Sequence, residues 1–152
     1  MSAAPTSTSL EYGRSHPSGG CSYLAIPGRL LMSVIFLISG YGKITNFSMY
    51  AGMMGSKMGE PKVMLALAIF AEVAGGLSLL LGLWSRAGAL GLFIFLIPTT
   101  LMFHNFWVAD SAHYQEQFVN FLKNVAIMGG LLMLMAHGAG PLSFDAAMRR
   151  RT

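Results

Sequence analysis

Charged residues are missing from long stretches of this chain, and that spacing limits its fold more than any other feature. Between Lys62 and Arg86 the only charge is Glu72, and there is none from Arg86 to Asp110 or from Lys123 to Asp145. Each gap holds at least 21 residues, and about 20 apolar residues carry a helix across a hydrocarbon core of ~30 Å. Residues that are 54% hydrophobic and 11% charged leave too little polar surface for water, since soluble domains carry roughly 25% charge. Inside a bilayer every backbone N–H and C=O must be satisfied within the protein, so each gap predicts a transmembrane helix.

A fourth span precedes these three. Only 13 residues separate Arg29 from Lys43, ~20 Å of helix, so both cations must snorkel toward the interface. A helix over about 24–46 restores the length, with Pro27 in the first turn, where its missing N–H does no harm. The others are expected at about 62–84, 87–108 and 118–137. Together they make an all-α integral membrane four-helix bundle within residues 24–146. A cleaved signal peptide with Leu30–Ile38 as its apolar segment is disfavoured by the 29 residues ahead of it. Cys21 follows no apolar run that would anchor a lipoprotein. As the sole cysteine, it excludes an intrachain disulfide and a C-x-x-C pair. Residues 1–23, rich in Ser, Thr, Gly and Pro, read as a disordered cytoplasmic extension, and 147–152 as a basic cytoplasmic tail.

Orientation follows from the basic residues. Arg14, Arg29, Arg86, Arg149, Arg150 and Arg151 all fall on the side that holds both termini. The other side has Lys43, Lys57, Lys62 and Lys123, diluted by Glu60, Asp110 and Glu116. Both termini are therefore expected in the cytoplasm. The pI of 9.5 expresses this asymmetry and an attraction to anionic lipid, and no aromatic-basic interleaving points to nucleic acid.

The connection from Phe47 to Pro61 carries Met49, Met53, Met54 and Met58. Thioether sulfur suits Cu(I), but no His or Cys joins the methionines, and an interfacial segment with its apolar side on the bilayer is the stronger reading. No metal site is assigned. The short turn at Trp84-Ser85-Arg86 makes the second and third spans antiparallel neighbours. Pro98 should bend the third, with Thr99 and Thr100 placed to meet the freed carbonyl.

Glu72 stands near the middle of its span, where a charge costs roughly 2.5–3.5 kcal/mol. Ala68, Gly75 and Gly76 share its helical face, and small residues mark close helix packing, so Glu72 points into the bundle. Depth ranks its partners: Glu72 lies ~15 Å below the outer surface, Lys123 ~9 Å, His104 ~8 Å and Lys43 ~5 Å. Lys123 is the expected direct partner, with His104 feasible and Lys43 needing an intervening group. Asn120, Lys123 and Asn124 form a polar stripe expected to face inward. At the cytoplasmic end, Asp145 is expected to pair with Arg86 or Arg29, clamping the tail to the helix turn. A plain structural reading stands beside the functional one: such a pair also fixes helix register.

Five segments in order carry a resemblance: Gly40-Tyr41-Gly42-Lys43; Glu72-Val73-Ala74-Gly75-Gly76-Leu77 with Leu79 to Leu83; His104-Asn105-Phe106-Trp107; Asn120 with Lys123-Asn124 and Gly129 to Leu132; and Gly138 to Asp145. Over about Arg29 to Ala146 the chain resembles the DoxX-like family of small bacterial inner-membrane proteins. The resemblance implies a subunit of a larger redox or respiratory assembly, because family members include a thiosulfate:quinone oxidoreductase subunit and a component of an oxidative-stress redox complex. A quinone head would find donors in Lys123, His104 and Glu72. With no dinucleotide fingerprint and one cysteine, the chain is not expected to catalyse alone, and electrons would come from other membrane-protein subunits. The alternatives are a purely structural accessory subunit and a small transporter or proton pathway centred on Glu72.

Overall fold

The computed structural model describes residues 21–55 and 59–150. The extension expected over 1–23 falls outside them up to residue 20, as do Lys57, Met58 and the last two residues of the tail. A 3-10 turn, Cys21–Leu24, leads into α1 (Ala25–Thr45); α2 (Phe47–Gly55), α3 (Pro61–Leu81), α4 (Ser85–Phe103), α5 (Tyr114–His137) and α6 (Phe144–Arg149) follow. Four of these segments are long and apolar enough to cross a membrane, the third running on through a short 3-10 turn to Val108. The spans expected from charge spacing are thus present, and no strand occurs among the described residues.

The bundle is built around α3, which packs against α1 on one side and α4 on the other, while α4 also packs against α5. Glycines set these distances. A Cβ on Gly75 would lie 2.5 Å from Leu92 Cγ of α4, and one on Gly76 would lie 2.9 Å from Leu37 Cδ2 of α1. Such close approach suits a medium where packing, not water exclusion, drives helix association. Phe36, Leu79, Ala89, Leu92, Leu96, Leu131 and Leu134 form the main core. Large apolar side chains such as Leu31, Phe70, Ile94 and Met133 are exposed, the inverse of a soluble protein and the surface that lipid requires.

The Met-rich connection forms a helix rather than a loop. Ala51 and Met54 of α2 are buried against Leu65 of α3, with Met49 and Met53 on the exposed side. The turn between the second and third spans also lies slightly earlier than expected: Gly82 (φ +63°) ends α3, and Ser85 and Arg86 already belong to α4. Pro98 sits inside α4 without ending it. Thr99 Oγ1 donates to Phe95 O at 2.9 Å, and Thr100 is turned toward α5 instead.

Candidate functional site

The intramembrane charge of α3 is answered by α1. Glu72 is 4% exposed, and Lys43 Nζ donates to its Oε1 at 2.8 Å and its Oε2 at 2.9 Å. Ser39, one helical turn before Lys43, completes the array: Lys43 Nζ donates to Ser39 Oγ at 2.6 Å, and Ser39 Oγ to Glu72 Oε1 at 3.1 Å. The Tyr50 ring of α2 lies with its centroid 5.7 Å from Lys43 Nζ, within reach of a cation–π attraction. Gly40, on the same face of α1, would drive a Cβ to 2.8 Å from Val73 Cγ2. That absence of a side chain lets α1 and α3 come close enough for the array to close.

The expected Glu72–Lys123 pair is not formed. Lys123 is exposed on α5, and Lys43 takes its place directly, with no intervening group. Depth alone misled, because azimuth decides the partner: Lys43 and Ser39 sit at i and i+4 on the face α1 turns to α3, and the extended lysine covers the remaining height. His104 also lies elsewhere, with Nδ1 3.2 Å from Gln117 Oε1. Asn124 Nδ2 donates to Thr100 Oγ1 at 3.0 Å, a bond joining α4 to the partly inward side of α5, and Asn120 is half-buried on the same helix. The six residues expected as one polar cluster therefore divide between the α1–α3 interface, the α4–α5 interface and the outer surface of α5. Ser39 and Tyr50 were not foreseen. The only sequence signal for Ser39 was its i, i+4 spacing from Lys43.

At the opposite end the clamp exists in a different form. Asp145 makes no ion pair with Arg29 or Arg86 within the described ion pairs. Its carboxylate accepts from Trp84 N at 2.7 Å, Ser85 N at 3.0 Å and Ser85 Oγ at 2.6 Å, while its own N–H donates to Gly82 O at 2.9 Å. A helix start leaves unpaired N–H groups and positive dipole, so a carboxylate there is stabilised twice. Partial burial pushes the Asp145 carboxyl upward, but the Ser85 and Trp84 bonds, with Arg149 nearby, outweigh it and hold the group below the usual carboxylate value. Trp84 takes φ +47°, uncommon for a bulky residue, to aim its N–H at Asp145. Both arginines serve carbonyls: Arg29 bonds Leu79 O and Leu142 O, and Arg86 Nη2 donates to Ala136 O at 3.3 Å.

Two further features mark the loop end of the bundle. Phe106 stands at the centre of an aromatic group, edge-on to Trp107, Tyr114, Phe118 and Phe121 at 5.1–5.9 Å. The Asp110 carboxylate lies 2.8 Å from His113 Nδ1; the hydrogen bond holds Asp110 below and His113 above their ordinary values.

Comparison with known proteins agrees with this architecture. The chain is 35% identical over 123 residues to the inner membrane protein YqjF of Escherichia coli (strain K12), covering 81% of this chain and 90% of that one. It is 29% identical over 138 residues to the inner membrane protein YphA of the same organism, covering 90% and 94%. No solved structure matches. A model of the DoxX family matches residues 24–105, which carry α1 to α4 and the whole Lys43–Ser39–Glu72 array, and the chain belongs to the DoxX family as a multi-pass protein of the bacterial inner membrane.

Proposed function

We propose that this chain is an accessory membrane subunit of a larger redox assembly, holding partner subunits at the bilayer without carrying the reaction itself. Lys123 is the observation that supports the reading. It stands nine residues into a membrane-spanning helix, exposed and paired with no carboxylate among the described residues. A charge facing lipid there must snorkel or meet a partner, and a partner's acidic or polar group relieves the cost of holding it beside hydrocarbon. Exposed Val119, Leu122 and Val125 surround it with apolar surface.

The groups that would meet a quinone head do not converge in this chain. Lys43 is engaged by Ser39 and both oxygens of Glu72, His104 faces Gln117, and Lys123 points away from both. The reading therefore assigns electron transfer and quinone chemistry to partner subunits, and gives the Lys43–Glu72 pair the task of fixing the register of α1 on α3.

Native electrophoresis of the full chain in mild detergent tests this. Wild type should co-migrate with subunits whose flavin, haem or iron–sulfur absorption is measurable, and Lys123→Glu should release it as a monomer of unchanged thermal stability. A wild-type chain that migrates alone, or a Lys123→Glu chain that assembles as wild type does, would overturn the proposal.

A further inference from the structure

The helices α1 and α5 touch over a short length only, and beside that contact, near the end where α6 lies, the bundle has a groove of about 510 Å³. Gly28 and Met32 of α1 and Gly130, Leu134 and His137 of α5 line it, together with Arg29. Gly28 leaves the mouth open, a Cβ there meeting nothing within 4 Å, while the Met32 tip packs over Gly130, 3.2 Å from where its Cβ would stand.

Arg29 is 6% exposed, and its hydrogen bonds are incomplete. Its two terminal nitrogens serve Leu79 O and Leu142 O, yet buried Nε has no partner. Nε is itself shielded, so what an anionic headgroup meets at the groove is the field of a buried guanidinium that no carboxylate pairs with directly among the described residues. His137, the last residue of α5, stands at the same mouth, with Nδ1 2.9 Å from Met133 O. Both residues lie at the ends of spanning helices, where polar headgroups give way to hydrocarbon.

We propose that this groove binds an anionic phospholipid, its phosphate at the mouth beside Arg29 and His137 and one acyl chain along the deeper part lined by Met32, Gly130 and Leu134. The vertical order of the lining fits an amphiphile: the cation and imidazole stand at the interface, with Gly28 at the mouth beside Arg29, while Met32 of α1 lies about one helical turn deeper than Arg29 and Gly130 of α5 about two turns deeper than His137. A free phosphate ion would leave the deeper part empty, so the occupant is the lipid.

The test uses the purified full-length chain in mild detergent, titrated with phosphatidylglycerol or phosphatidylcholine of identical chains, with bound lipid counted by native mass spectrometry. One phosphatidylglycerol should be retained at about fivefold lower concentration than phosphatidylcholine, the discrimination that one interfacial cation confers. Gly28→Leu, which fills the mouth from α1 beside Arg29, should weaken retention about tenfold, and His137→Ala should shrink the preference for the anionic headgroup if the Gly28 variant does not fold. Millimolar inorganic phosphate should leave the bound lipid in place. Equal retention of the two lipids, unchanged binding in a folded Gly28→Leu chain, or displacement by phosphate alone would each overturn the proposal.

Discussion

Removing Lys43 measures what the intramembrane pair contributes. In Lys43→Met the Glu72 carboxylate, 4% exposed, keeps one partner, Ser39 Oγ at 3.1 Å, and loses two contacts of 2.8 and 2.9 Å. Breaking one side of a buried pair costs 3–5 kcal/mol, and about 3 kcal/mol is expected here, because the Lys43 side chain is 19% exposed and Ser39 remains. Glu72→Gln keeps one acceptor for Lys43 but removes the counter-charge and the second acceptor, a loss of about 1–1.5 kcal/mol. In the double variant neither charge is stranded, so its loss should be about 1.5 kcal/mol instead of the ~4 kcal/mol that additivity gives. The coupling of about 2.5–3 kcal/mol is readable from denaturant unfolding in detergent micelles, using tryptophan fluorescence. Lys123→Met, the control, should change stability by less than about 0.5 kcal/mol. Losses in the double variant that add to within ~0.5 kcal/mol would refute the pair.

Asp145→Asn should lower stability by about 1–2 kcal/mol, because the cap of α4 loses its charge. Since the Asp145 carboxyl titrates below its ordinary value, its contribution is complete above the unfolded value near 3.8 and disappears as pH falls through the lower folded value. Thermal unfolding of wild type and variant should accordingly draw together only as pH is taken below the unfolded value near 3.8. Gly75→Ala should cost about 1–3 kcal/mol by overpacking on Leu92, and Gly75→Ala/Leu92→Ala should cost less than the sum of the two single changes. Labelling of Pro5→Cys and Arg150→Cys chains, with Cys21 replaced by serine, should fail from outside intact cells, and reaction at either site would reverse the expected cytoplasmic placement of both termini.

The spans were legible because a single physical requirement, exclusion of charge from hydrocarbon, writes itself linearly along the chain. The inward aim of Glu72 was legible for a similar reason: Ala68, Gly75 and Gly76 mark its face by size alone. Its partner was not. Depth can be counted from a helix end, but azimuth depends on how α1 rotates against α3, and that rotation is set by the contact of Gly40 with Val73 across 33 residues of sequence. The clamp shows the same limit. Charge signs suggested arginine for Asp145, whereas the unpaired N–H groups at the start of α4, which carry no formal charge, hold it more closely.

That arrangement has a consequence in time. During synthesis the α3–α4 turn emerges 60 residues before the carboxylate that completes it, so Trp84 and Ser85 must wait with open donors while α5 is made and crosses. Asp145 reaches them only if every intervening crossing has gone in the right direction and the tail has come back to the side it left. The latch thus closes last, and its closure is a chemical signature that α4 and α5 have both crossed in the right direction.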